Sequence, residues 1–132
     1  MSDKLDVVVV DDSRSVLRHL ERMIADIEGV SLVGTAGDGA SALRLVAEVK
    51  PDLVLMDIVM PDMDGLTALR LIRSKAKDLR VVMLSSMGGA SSRAEEAFSL
   101  GAIQVLGKPI DRGQLEALFE AELEAPRERP EA

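Results

Sequence analysis

Five short apolar runs alternate with five stretches of helical periodicity, and few folds accept that arrangement. The runs are Leu5 to Val10, Val30 to Ala36, Leu53 to Met56, Arg80 to Leu84 and Ile103 to Leu106. Short runs with little polar interruption mark strands buried on both faces, as in a parallel sheet. Between them, apolar residues recur at three- and four-residue spacing. Examples are Val16, Leu17, Leu20, Met23, Ile24 and Ile27, then Leu66, Leu69 and Ile72, and near the end Leu115, Leu118, Phe119 and Leu123. Strict strand–helix alternation predicts an α/β fold with a parallel sheet, helices on both faces and right-handed crossovers. The pattern itself leaves the strand order open.

Punctuation residues fit this division. Ser13 or Asp12 can cap the first helix and Gly29 can stop it. The second helix ends before Pro51. Gly65 and Leu66 open the third helix, which runs to about Lys75. Ser91 or Ser92 caps a short fourth helix carrying Ala94, Ala97, Phe98 and Leu100, with Gly101 as its stop, and Asp111 caps the fifth. Residues 1–125 read as one domain, and 126–132 as a polar, Pro-bearing flexible tail with nothing to bury. That tail is either a natural end or the point at which a regulatory domain is cut from a longer protein.

Composition narrows the chemistry. No cysteine is present, which removes disulfides, thiolate metal sites and cysteine nucleophiles. Phe98 and Phe119 are the only aromatic residues, so the core must be aliphatic. A formal net charge of −7 argues against a nucleic-acid surface. No apolar run approaches the roughly 18 residues of a membrane span, and the polar start lacks a signal peptide's layout. The expected location is the cytoplasm, away from any membrane.

The apolar run Leu53-Val54-Leu55-Met56 stops at the carboxylate of Asp57. The first run stops at Asp11-Asp12 and the fourth at Ser85-Ser86, while the fifth leads through Gly107 to Lys108. Parallel strands deliver their carboxyl ends to one edge, where ligands of open α/β sheets bind. Three carboxylates, a hydroxyl and an ammonium therefore converge. Carboxylates that close together call for a divalent cation, and an oxygen-only donor set favours a hard ion such as Mg2+. Carboxylate, hard cation, lysine and hydroxyl are the parts needed to transfer a phosphoryl group to an aspartate. Asp57 is the nucleophile candidate because it ends the central strand. Taken singly, Asp11 and Asp12 read as helix caps, Ser85 as a loop hydroxyl and Lys108 as a solvated lysine. Their conjunction at strand ends carries the functional reading.

Three segments then identify a resemblance: Val7-Val8-Val9-Val10-Asp11-Asp12-Ser13, Leu53 through Gly65 with Met60-Pro61-Asp62-Met63-Asp64-Gly65, and Gly107-Lys108-Pro109. In order and spacing they resemble the signatures of receiver domains of two-component response regulators, over about residues 4 to 124. The resemblance implies a flavodoxin-like (βα)5 doubly wound fold with strand order 2-1-3-4-5. It implies that Asp57 accepts a phosphoryl group from a histidine kinase. It further implies that Asp12, Asp57 and the carbonyl of Val59 ligate Mg2+ while Asp11 helps through water. Lys108 would contact the phosphoryl group, its bond to Pro109 being cis, and Ser85 would be the switch hydroxyl. The chain would modify itself rather than turn over a substrate. Its signal would pass to a downstream target protein or output domain through the fourth helix, fifth strand and fifth helix. The sequence does not say whether phosphorylation also drives formation of a dimer.

Two positions depart from the family's pattern. Val105 stands where an aromatic often swings inward, so the signal would pass instead through Met87-Gly88-Gly89, whose glycines permit rearrangement. Val59 cannot orient an attacking water, which predicts that phosphate is not lost unusually fast; a lifetime of seconds in the purified protein would contradict this. Ser85-Ser86-Met87-Gly88-Gly89 resembles chemotaxis-type regulators, including the receivers of chemotaxis methylesterases.

Other readings compete. Gly37-x-Gly39-x-x-Ala42 partly matches a dinucleotide fingerprint, with Asp57 about 20 residues on. It follows the second strand, however, and reads better as a turn; a thermal shift with NAD would revive it. Aspartyl phosphatases also use carboxylates, Mg2+ and Lys, but want Asp-x-Asp where this chain has adjacent aspartates. A third class is a docking module of receiver fold that works without phosphorylation. His19 lies among Arg14, Arg18 and Arg22 and reads as a surface residue.

Overall fold

A computed structural model describes residues 4–86 and 90–125. Five strands and five helices alternate: β1 (Leu5–Val10), α1 (Arg14–Ala25), β2 (Val30–Ala36), α2 (Gly39–Val49), β3 (Leu53–Asp57), α3 (Gly65–Lys75), β4 (Arg80–Ser85), α4 (Ala90–Ser99), β5 (Gln104–Gly107) and α5 (Arg112–Glu124). The strands form one parallel sheet in the order β2-β1-β3-β4-β5, the flavodoxin-like arrangement. Among the described residues, no helix is long and apolar enough to cross a membrane.

The near-continuous apolar strands are explained by burial on both sides. Along β3, Val54 and Met56 point into a cluster with Ala42 and Val46 of α2, Leu69 and Ile72 of α3, and Ala97 of α4. Leu53 and Leu55 point the other way, against Leu20 and Ile24 of α1 and Leu115 and Phe119 of α5. Side chains alternate along a strand, so each residue of β3 finds a core whichever way it faces. The first core is packed from aliphatics and methionine, and the second from branched aliphatics around the single buried ring of Phe119.

Helix starts are fixed by side-chain caps. Ser13, Asp38, Asp64 and Asp111 accept from the backbone N–H groups of Val16, Ser41, Thr67 and Gln114. Of the two residues able to cap α1, Ser13 does so. Gly29 does not stop α1. The helix ends at Ala25 with Asp26 as its cap, and Gly29, at φ +86, shapes the later turn into β2. Gly101, at φ +103, does lie just beyond α4. Both β4 and β5 run one residue past their apolar runs, to Ser85 and Gly107. Phe98 is exposed on α4, whereas Ala97 is buried. Neither Ser91 nor Ser92 caps α4, because the helix already begins at Ala90 and both lie within its first turn. The Met87-Gly88-Gly89 loop and the tail from Pro126 lie outside the described residues.

Candidate functional site

Strand register builds the site. Val10 pairs with Met56, Asp57 with Leu84, and Ser85 with Gly107. Asp11, Asp57, Ser85 and Lys108 thus fall within a residue or two of one line across the carboxyl edge of the sheet. The backbone extends the same order past the strand ends: Asp11 donates to the Ala36 carbonyl (3.0 Å), Ile58 to Leu84 (3.0 Å) and Lys108 to Ser85 (2.7 Å).

Asp11 is buried beneath the edge, at 1% exposure, and its Oδ1 accepts from the Ser13 N–H at 2.9 Å. Asp12, the next residue, is exposed. Asp57 is 5% exposed, and its Oδ1 accepts from the Val59 N–H at 3.3 Å. Lys108 Nζ reaches Asp11 Oδ2 at 2.6 Å and Asp57 Oδ2 at 3.1 Å. Among the described residues it is the one cation paired with either carboxylate. One carboxylate oxygen from each of Asp11, Asp12 and Asp57 lies within 4.8 Å of the other two. Burial pushes the Asp57 carboxyl above its ordinary range and the Asp11 charge adds to this, with Lys108 opposing both. Burial also disfavours the Lys108 ammonium, but Asp11 and Asp57 outweigh it and hold that group above its ordinary value.

Asp11, Asp12, Asp57 and Lys108 are therefore brought together. Ser85 sits buried at the neighbouring strand end, but its hydroxyl donates to the Ser86 carbonyl at 3.1 Å. Val59 stands 64% exposed on the loop after Asp57, and the Lys108–Pro109 bond is cis. The Gly37–Gly39 segment is a strand-to-helix turn whose Asp38 side chain already caps α2 through Ser41 N–H at 2.7 Å. His19 is exposed on α1.

One positioning residue carried no chemical signal in the sequence. Gly65 donates to the Ile58 carbonyl at 2.6 Å, closing the loop back onto β3. A Cβ there would stand 2.0 Å from the Asp57 carbonyl oxygen and 2.9 Å from Ile58 Cα. Only glycine allows α3 to start against the backbone that carries Asp57.

A family model for the response regulator receiver domain matches residues 7–120. The chain belongs to that family. The receiver is 44% identical over 103 residues to a protein-glutamate methylesterase/protein-glutamine glutaminase of Myxococcus xanthus. That match covers 78% of this chain and 30% of the relative, so the chain spans under a third of that protein. Among solved structures, the receiver resembles the response regulator domain of Thermotoga maritima CheB. The two share 32% identity at a TM-score of 0.84, covering 93% of this chain and 98% of that one. It also resembles a chain from the CheX–CheY–BeF3–Mg2+ complex of Borrelia burgdorferi, at 32% identity and a TM-score of 0.81, covering 89% and 88%.

Proposed function

We propose that this receiver takes a phosphoryl group from a histidine kinase onto Asp57 and uses it to switch a protein-binding surface. The observation that carries the reading is the convergence on buried Asp57 of the Lys108 ammonium and the Asp11 and Asp12 carboxylates. In the transfer, an Asp57 carboxylate oxygen attacks phosphorus, the phosphorus–nitrogen bond of the phosphohistidine breaks, and the imidazole leaves with its electron pair. The raised proton affinity of Lys108 keeps it cationic for this task. It neutralises charge on the moving oxygens without a proton having to move. The Ser85 hydroxyl can turn from the Ser86 carbonyl to donate to the new phosphoryl group. Attack of water on phosphorus later restores the carboxylate, so the protein modifies itself once per cycle and has no separate substrate to turn over.

The donor set fits a hard divalent cation. All its ligand atoms are oxygens, and the buried Asp11 Oδ2 has the Lys108 ammonium as its one partner among the described residues. Asp11, Asp12, Asp57 and the Val59 carbonyl would hold Mg2+, which when bound supplies charge neutralisation at the transferring group. Phosphorylation would then bias two surface conformations, read through α4, β5 and α5 by a target or output domain, or by a second copy in a dimer.

The methylesterase relative, and the fraction of it that this chain spans, favour a place in chemotaxis signalling, with the receiver regulating an attached or separate output. The test is incubation with acetyl phosphate and Mg2+, read by intact mass. Gain of one phosphoryl group, abolished by EDTA and by Asp57→Asn, supports the reading. No gain by folded protein would favour a docking module that works without phosphate.

A further inference from the structure

The loop that leaves Asp57 does not end at the phosphoacceptor site. Its last residue, Asp64, uses its two carboxylate oxygens for different purposes. Oδ1 caps α3 by accepting from Thr67 N–H at 2.9 Å. Oδ2 takes the Arg93 guanidinium of α4 at 3.2 Å, a contact between residues 29 apart in sequence. The next residue, Gly65, is bonded back to Ile58 and packed on the Asp57 carbonyl. Asp64 is thus fixed to the backbone of Asp57 through the closed loop, and Arg93 is fixed to Asp64.

We propose that the Asp64–Arg93 ion pair is a latch that tethers α4 to the phosphoacceptor loop in the unmodified chain and is released when Asp57 is phosphorylated. The proposal rests on the functional reading above. Three features suit a latch rather than a permanent brace. Both partners are partly exposed, at 39% and 40% of their side chains. Exposed pairs are weak and screened by salt, so this one biases a conformation without locking it. Arg93 also keeps its Nε buried with no acceptor among the described residues, a cost that makes the held position easier to leave. Finally, the pair joins the loop after Asp57 to α4, which also packs through Ala97 on the apolar core that α3 shares. A phosphoryl group adds bulk and charge at Asp57, and any shift of that backbone carries Asp64 with it and stretches the contact.

The test uses Asp64→Asn, which keeps a capping side chain but removes the charge, together with Arg93→Gln and the double variant. If the latch opposes the phosphorylated conformation, each single variant gains phosphate from acetyl phosphate and Mg2+ faster than wild type. The rise is at most about fivefold, the population change equivalent to about 1 kcal/mol. The double variant is no faster than the faster single one, and raising salt brings wild type toward the variants. Unchanged or slower rates, or effects that multiply in the double variant, overturn the proposal. Hydrogen exchange of α4 amides in the unmodified protein tests the tether without phosphate: exchange quickens in both single variants, and unchanged exchange overturns it. Wild type that gains no phosphate at all sinks the functional reading instead, a failure distinct from that of the tether.

Discussion

Replacing Lys108 with methionine removes the one cation that the described residues offer Asp11 and Asp57, while keeping an unbranched side chain of similar reach. The lysine makes ion pairs of 2.6 and 3.1 Å with carboxylates whose own side chains are 0% and 7% exposed. Removing one partner of a buried ion pair costs about 3–5 kcal/mol. The Lys108 side chain is itself 19% exposed, which places the loss toward the lower part of that range. We expect a loss of about 3–4 kcal/mol at pH 8 in EDTA, or roughly 12–16 °C in Tm at about 4 °C per kcal/mol for this length. The loss depends on pH in a defined direction. Without the ammonium, the buried Asp57 carboxyl loses the charge that opposes its raised pKa and binds a proton more readily folded than unfolded, so the variant recovers stability as pH falls. The wild type instead loses Lys108's contribution only as pH rises through its elevated pKa, above the ordinary 10.5. Urea denaturation of both proteins at pH 8 and pH 5 measures the gap. A gap that narrows at pH 5 supports the electrostatic account. A gap of equal size at both pH values would assign the loss to packing of the lysine stem and refute the reasoning.

Three further outcomes are expected. Gly65→Ala forces a methyl group against the Asp57 carbonyl and lowers stability by about 2–4 kcal/mol, measured by urea denaturation; a loss under about 1 kcal/mol would show that α3 can shift freely away from β3. Asp57→Asn raises Tm by a few degrees at neutral pH in EDTA, because a carboxyl whose pKa is raised on folding subtracts stability above that pKa and not below the unfolded value. The difference from wild type fades in acid, and a fall in Tm at neutral pH would contradict it. Adding Mg2+ raises the wild-type Tm, as any ligand of the folded state does, and the rise shrinks in Asp12→Asn; a full rise in that variant would place the ion elsewhere.

How much of this was legible beforehand depends on the range of the interaction. Each strand's existence followed from its own apolar run, and Asp57 stood out because a carboxylate ends a run buried on both faces. The meeting of Asp11, Asp57 and Lys108 followed from topology alone, since parallel strands share an edge. Side-chain direction did not. The Ser85 hydroxyl lies at the expected strand end yet bonds its own neighbour's carbonyl, a choice among rotamers that spacing cannot encode. Pairings across long sequence separations were equally silent: Asp64 with Arg93, and Arg80 with Glu122, which joins β4 to α5. Gly29 looked like a helix stop, but α1 ends earlier, where Asp26 already finds carbonyl acceptors on Met23 and Ile24. Phe98 has the spacing of a core residue, but the short α4 buries Ala97 and leaves Phe98 51% exposed. The requirement for Gly65 appears only when α3 and the end of β3 are seen to touch.

The most direct measurement is to locate the phosphate. After treatment with acetyl phosphate and Mg2+, reduction with borohydride converts an aspartyl phosphate to homoserine, and peptide mass spectrometry then reports the position. The account predicts homoserine at position 57, absent when Mg2+ is withheld. Conversion at Asp11 or Asp12 instead, or none in a protein that remains folded, would contradict it.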